Sequence, residues 1–259
     1  MYYVIQENVF KETHFDLLMN WIERNQIEYE MIKFRPFVTD LEFTTSRKDV
    51  WCWGSVSMSK IAKKYGWHPG SMYNENHDTD VYGKHYEKHM LNYEGISMDI
   101  TDPLPDRFQY FFARPTKDTK AFSGQLFERE TWNQWVQQVI AEESASGTKI
   151  LTHDTRVFVA PLKDIQQEVR CWIVGGKVVT ASRYKLGSRV LYENYDNESY
   201  FTDFAQSMAN IYQPAEAFVL DVCLTNEQLK VVEINCINCS GYYHANMNKL
   251  MEAIESHFS

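Results

Sequence analysis

The sequence predicts a mixed fold in two parts, a small α/β domain over residues 1–104 followed by a larger α+β domain over residues 105–259. Three observations lead to it. A strand, a helix and further strands alternate near the amino terminus, two antiparallel hairpins come later, and amphipathic helices separate and follow those hairpins.

Tyr2 to Ile5 is a short apolar strand, and Glu12 to Asn25 carries Phe15, Leu17, Leu18, Trp21 and Ile22 at helical spacing. Ile27 to Phe34 and Asp49 to Trp53 are strands, and Gly54-Ser55 leads into a helix from Met58 to Tyr65. Gly66 to Asp106 is rich in Pro, Gly, Asn, Asp and His. It reads as a connector of turns with one short helix near Lys84 to Leu91. In the second part, Arg107 to Ala113 is a strand, Thr116 to Gly124 a polar loop and Gln125 to Phe127 a short return strand. Thr131 to Glu143 gathers Trp132, Trp135, Val136, Val139 and Ile140 on one side of a helix, and strand Val157 to Val159 follows. Gln166 to Val174 and Lys177 to Lys185 flank Gly175-Gly176, a dipeptide suited to the positive φ angles of a two-residue hairpin. Tyr200 to Tyr212 is a helix, residues 216–224 and 229–235 are paired strands, and Met247 to Phe258 is a closing amphipathic helix.

Composition narrows the function. With 259 residues, 44% hydrophobic and 15% aromatic, the chain can bury a substantial core. The 26 Lys and Arg against 35 Asp and Glu leave a net charge of −9, which argues against duplex nucleic acid and anionic membrane as partners. The amino terminus lacks the basic and apolar regions of a secretion signal, and no apolar run approaches the ~18 residues of a membrane span. Five cysteines, an odd number scattered along the chain, suit a reducing compartment, so the cytoplasm is expected. Cys236, Cys239 and His244 have the spacing of three zinc-knuckle ligands, but the fourth would fall near Lys249, and the pattern fails. His85 and His89 bracket Tyr-Glu-Lys with the Glu one place too late for a zinc protease.

The richest segment is Phe218 to Asn235. A hairpin with a loop of about three residues sets Asp221 across from Glu233, with Cβ atoms ~4.5–5.5 Å apart. Asn235, two residues on, shares the face of Glu233. Two facing carboxylates repel, and a hard divalent cation relieves the repulsion with the oxygen ligands that magnesium prefers. The alternative is neutralisation by Arg or Lys side chains. Arg114, Lys117 and Lys120 sit at a strand end and in the loop after it, where they would clamp phosphates. Around Gly175-Gly176, uninterrupted pairing sets Glu168 opposite Arg183 and Arg170 opposite Ala181, with Lys185 further along the Arg183 face. Trp51, Trp53, Gly54-Ser55 and Tyr73 read either as core or as one wall of a substrate cleft.

In this order, Glu168-Val-Arg170 before a Gly-Gly hairpin, then Asp221, then Val-Val-Glu233-Ile-Asn235, the motifs resemble the ATP-grasp superfamily, specifically its small divergent members in bacteria and phages. The resemblance covers about Arg107 to the C-terminus. It implies two α+β subdomains gripping ATP, preceded by a small α/β domain. It implies that Asp221, Glu233 and Asn235 hold Mg2+, and that Arg114, Lys117 and Lys120 meet the phosphates under a mobile loop. Arg114 departs from the Lys common in the family, exchanging a point charge for a bidentate fork. Ala160, Pro161 and Leu162 look like the hinge at the adenine edge, with Glu168 also toward the nucleotide. Arg170, Arg183 and Lys185 look like the cations around the transferred phosphoryl group, and Ser240-Gly241 like the acceptor-side turn. The implied activity is ATP-dependent activation of a carboxylate as an acylphosphate, followed by attack of an amine or other nucleophile. Small-molecule or peptide acids and amines are the expected partners, and a homodimer is compatible with the sequence. A phosphotransferase and a non-catalytic nucleotide-binding regulator are the alternatives.

Overall fold

The computed structural model describes residues 1–7, 15–33, 45–117, 122–145 and 151–259, without the side chains of residues 143–145. In the N-terminal part, β1 (Tyr2–Gln6), α1 (Phe15–Arg24), β2 (Tyr29–Ile32), β3 (Asp49–Trp53), α2 (Ser57–Tyr65) and β4 (His68–Gly70) build a parallel sheet of order β2-β1-β3-β4. Both faces of β1 and β3 are covered by helices, which is why these strands read as unbroken apolar runs. Trp51 and Trp53 are fully buried, so these two are core. The sequence-expected extensions of α1 to Glu12 and of β2 to Phe34 lie outside the described residues.

The expected connector is structured. Asp78 caps α3 (Thr79–Tyr86) by accepting from the Asp80 N–H at 3.0 Å, and a 3-10 turn at Glu87–His89 follows, so the helix starts earlier than its composition suggests. β5 (Ile96–Asp99) then pairs with β8 (Arg156–Pro161), which places it in a second sheet with β6 (Tyr110–Pro115) and β7 (Gln125–Glu128), on the N-terminal side of residue 104. This antiparallel sheet has the order β5-β8-β6-β7. α4 (Arg129–Ala145) covers it with Trp132 and Val136, packed on Phe108, Phe111 and Val159.

The third sheet holds β9 (Gln167–Val174), β10 (Lys177–Leu186), β11 (Arg189–Asn194), β12 (Ala217–Thr225) and β13 (Gln228–Asn235) in the order β11-β10-β9-β12-β13, all antiparallel. Alternation divides its two faces. Val169, Cys171, Ile173, Phe218, Leu220 and Val222 pack on α3 and α5 (Ser199–Ile211). Trp172, Val174, Ala217 and Val219 pack toward the N-terminal part and α6 (Met247–Phe258). Polar residues on this second face, farther along the same strands, therefore point at the space between the domains.

Two registers differ in route from the sequence expectation. The β12/β13 turn holds only Asn226 and Glu227, both at positive φ (45° and 61°), and an extra residue between Asp221 and Val222 pairing restores Asp221 opposite Glu233. In β10, irregularities after Val178 and after Arg183 move Glu168 opposite Lys185 and Arg170 opposite Ser182. The expected Glu168–Arg183 and Arg170–Ala181 pairings are thus absent, because each inserted residue turns the strand to its other face.

Candidate active site

Between the two antiparallel sheets lies a cleft of about 890 Å³, within the usual range for a small-molecule site. Its walls are built by opposite elements. β6 contributes Phe112 and Arg114 from one sheet, and β9, β10 and β13 contribute Glu168, Tyr184, Lys185 and Glu233 from the other. The chain crosses from β8 to β9 through Pro161, Lys163, Asp164 and Ile165, which also line it.

The charged floor follows from strand register. On one row of the sheet, Arg170 of β9, Asp221 of β12 and Glu233 of β13 stand side by side. Arg170 donates from Nε to Asp221 Oδ1 and from Nη2 to Asp221 Oδ2, both at 2.8 Å, a bidentate fork. Its plane lies 4.6 Å from the Tyr243 ring, and its Nη1 donates to the Gly241 carbonyl at 3.2 Å. Arg114 reaches across the cleft and donates to Glu233 Oε2. One row away, Lys185 Nζ lies 2.6 Å from Glu168 Oε1, and the Tyr184 hydroxyl donates to Glu168 Oε2 at 2.7 Å. Three carboxylates are balanced by three cations.

Burial separates the carboxylates. Asp221 is 1% exposed, and burial pushes its pKa up to about 6, with Arg170 holding it down and Glu233 and Glu168 adding to the rise. The Glu233 side chain is 28% exposed and opens on the cleft. Asn235 Nδ2 donates to Glu233 Oε1 at 2.9 Å and approaches Asp221 Oδ2 at 3.3 Å, so the three expected metal ligands are adjacent. Among the described residues no cluster of three or more His, Cys, Asp or Glu is poised for a metal. The donor set fits magnesium differently. Glu233 supplies the accessible carboxylate and Asn235 an amide that a half-turn would present by its oxygen, while Asp221 sits beneath them in the grip of Arg170.

The other expected residues divide. Lys117 and Pro161 line the cleft, whereas Ala160 is fully buried in β8 and Leu162 is 47% exposed beyond the lining. Arg183 is not brought to it. Opposite Val169 it belongs to the α5 face, where it binds Glu193 and donates to the Tyr195 hydroxyl at 3.2 Å. Lys120 lies outside the described residues. Gly124 has a packing role, since a Cβ there would stand 2.7 Å from the Phe112 ring. Sequence reasoning missed Tyr184, Lys163, Asp164 and Ile165. Tyr184 had a signal in its place beside Lys185, but only a strand bulge lets both neighbours reach one cleft.

A search of curated proteins returned no match. The model of an ATP-grasp domain family, the third family of its clade, matches residues 35–254. Among solved structures, the chain is similar to the D-cycloserine synthetase DcsG (TM-score 0.67, 11% identity, covering 100% of this chain and 99% of that one). It is similar to D-alanine–D-alanine ligase from Bacillus anthracis complexed with ATP (TM-score 0.60, 13% identity, 100% and 93% coverage). It is also similar to the ATP-grasp ligase PsnB complexed with a minimal precursor (TM-score 0.59, 11% identity, 100% and 99% coverage). At these identities the likeness is one of fold, an ATP-grasp architecture over the whole length. With the family model spanning most of its residues, the chain belongs to the ATP-grasp superfamily.

Proposed function

We propose that the protein is an ATP-dependent ligase that joins a carboxylate to an amine or another nucleophile through an acylphosphate, releasing ADP and phosphate. The observation that carries this reading is the balanced floor of the cleft, in which Arg114, Arg170 and Lys185 stand against Glu233, Asp221 and Glu168. Triphosphate arriving with a divalent cation exchanges partners with such a floor at little electrostatic cost, because its negative and positive charges replace like with like. Arg114 and Lys117 would hold phosphate oxygens, and Phe112, Pro161 and Ile165 would enclose the base. Glu233 and Asn235, oriented by Asp221, would hold magnesium, which supplies charge neutralisation along the phosphates.

In the first step an oxygen of the acid attacks the γ-phosphorus, the bond from that phosphorus to the β–γ bridging oxygen breaks, and ADP leaves. In the second the nucleophile attacks the acyl carbon, phosphate departs with the electron pair of the C–O bond, and the amine gives up a proton. Arg170 and Lys185 would stabilise the charge that builds on the transferred group. The named neighbours DcsG, the D-alanine–D-alanine ligase and PsnB support a ligase over other uses of the fold. Incubation with Mg-ATP and pools of acids, with hydroxylamine as trapping nucleophile, tests the reading. Hydroxamate with stoichiometric ADP is expected. AMP and pyrophosphate, or a stable phosphorylated product formed without amine, would overturn it.

A further inference from the structure

The five-stranded sheet has two edges, and the fold treats them differently. Along β13 the segment after α3 closes the edge: Leu91 N–H donates to the Val231 carbonyl at 2.8 Å, Lys230 Nζ donates to the Lys88 carbonyl at 2.8 Å, and Met90 bridges to Val231. Along β11 no such cover exists among the described residues. All six of its residues are exposed, with Val190 at 70%, Leu191 at 37% and Tyr192 at 45%. Exposed edges are ordinarily blunted by Pro, Lys, a bulge on the free side or a covering loop, because open N–H and C=O groups recruit another strand. Arg189–Asn194 contains neither Pro nor Lys.

What the edge fits is written in its own sequence. Laid antiparallel on itself about Leu191, the segment Arg-Val-Leu-Tyr-Glu sets Arg189 opposite Glu193, Val190 opposite Tyr192 and Leu191 opposite Leu191. Moving the centre by half a residue sets Val190 against Glu193 and loses both ion pairs. An antiparallel self-pairing is also what a two-fold axis produces, since a two-fold contact uses the same patch on both copies. The partner chosen by this complementarity is therefore this chain. We propose that β11 pairs with β11 of a second copy about a two-fold axis at Leu191, continuing the sheet through the dimer. Glu193 already holds Arg183, and its second oxygen remains available for the facing arginine by the ordinary capacity of a carboxylate. The dimer also backs the active site. Tyr192 stacks on Tyr243 with ring centroids 5.0 Å apart, and Tyr243 in turn covers Arg170.

Disulfide trapping reads the register directly. A residue on the axis faces its own copy with Cβ atoms ~4.5–5.5 Å apart, close enough after small adjustment for a disulfide, whereas Arg189 is displaced from its copy by about 13 Å along the strand. Four of the five native cysteines are buried, which keeps the background low. Mild oxidation of L191C is expected to give a covalent dimer in most of the protein, and of R189C little or none. Sedimentation velocity up to about 200 µM should show the parent dimerising and V190K, altered at a position 70% exposed, remaining a folded monomer. A parent that stays monomeric throughout would overturn the proposal and leave the edge to an extended peptide. Equal crosslinking of the two cysteine variants, or a dimer untouched by V190K, would overturn it as well.

Discussion

At the residue scale, Asp221 and Glu233 are equal in charge and opposed in situation. Asp221 is buried and holds both arms of Arg170, itself buried, so neutralising it leaves an uncompensated guanidinium in the interior. Asp221→Asn is expected to lower stability by about 3–5 kcal/mol, as loss of one partner of a buried ion pair does, and thermal or urea unfolding measures it. Glu233 is partly exposed and bonded to Arg114, so Glu233→Gln should leave stability within about 1 kcal/mol of the parent. Its activity should nonetheless fall on the order of 10²–10³-fold. Binding of nucleotide in EDTA should improve in the same variant, because Arg114 is released for phosphate. A Glu233→Gln protein that melts far below the parent and binds metal-free nucleotide no better would show the pair with Arg114 to be structural. For Arg114 itself, Arg114→Ala should weaken Mg-ATP binding severely and Arg114→Lys should restore only part, since charge survives while the fork is lost. Calorimetric titration giving equal affinity for Arg114→Lys and the parent would remove the fork from the account.

At the scale of elements, Asp196 joins four pieces of chain. Just after β11, it accepts from Thr180 Oγ1 (2.7 Å) and the Ala181 N–H (2.9 Å) of β10, from Asn194 Nδ2 (3.2 Å), and from Lys249 Nζ of α6 (2.6 Å). Although burial opposes the charge, these donors, led by Lys249, hold its carboxyl below the usual range. A depressed carboxylate stabilises the fold at pH above its unfolded pKa of ~3.9 and loses that contribution as pH falls through the lower folded value. Asp196→Ala should cost about 1–3 kcal/mol at neutral pH, from donors left unsatisfied, and the difference from the parent should shrink in acid. Equal unfolding midpoints at pH 7 would contradict that role. Nothing in the sequence marked Asp196, because its donors converge from distant elements. The same holds for strand pairing. Asp221 facing Glu233 was legible because a hairpin is local, and the two-residue turn with a bulge reaches the pairing expected from a three-residue loop. Arg170 beside Asp221 was not, since it depends on β9 pairing with β12 across an intervening helix. Two bulges in β10 exchanged the places of Arg183 and Lys185, and β11, exposed on both faces, offered no alternation of burial to read.

At the scale of the molecule, the cleft is walled by one sheet on each side, and Arg114 to Glu233 is a direct ionic tie between them. The N-terminal sheet is fastened by different means. The Asn238 side chain donates to the Cys52 carbonyl at 2.6 Å and accepts from the Met72 N–H at 2.7 Å, so it links the segment after β13 with β3 and the chain beyond β4. Across the cleft, β6 thus meets β13 through a partly solvated ion pair, whereas the third sheet and the N-terminal part share a continuous apolar core. Nucleotide bound between the sheets should therefore add stability chiefly by uniting β6 with β13. At one hundred times its Kd, Mg-ATP should contribute about 2.7 kcal/mol. For a chain of this size that is a rise in Tm of roughly 5–10 °C. Hydrogen exchange should localise the gain, with slower exchange in β6, β7 and β13 and little change in β1 and β3. Protection that instead appears uniformly, or in the N-terminal sheet alone, would mean that the nucleotide does not sit between Arg114 and Glu233.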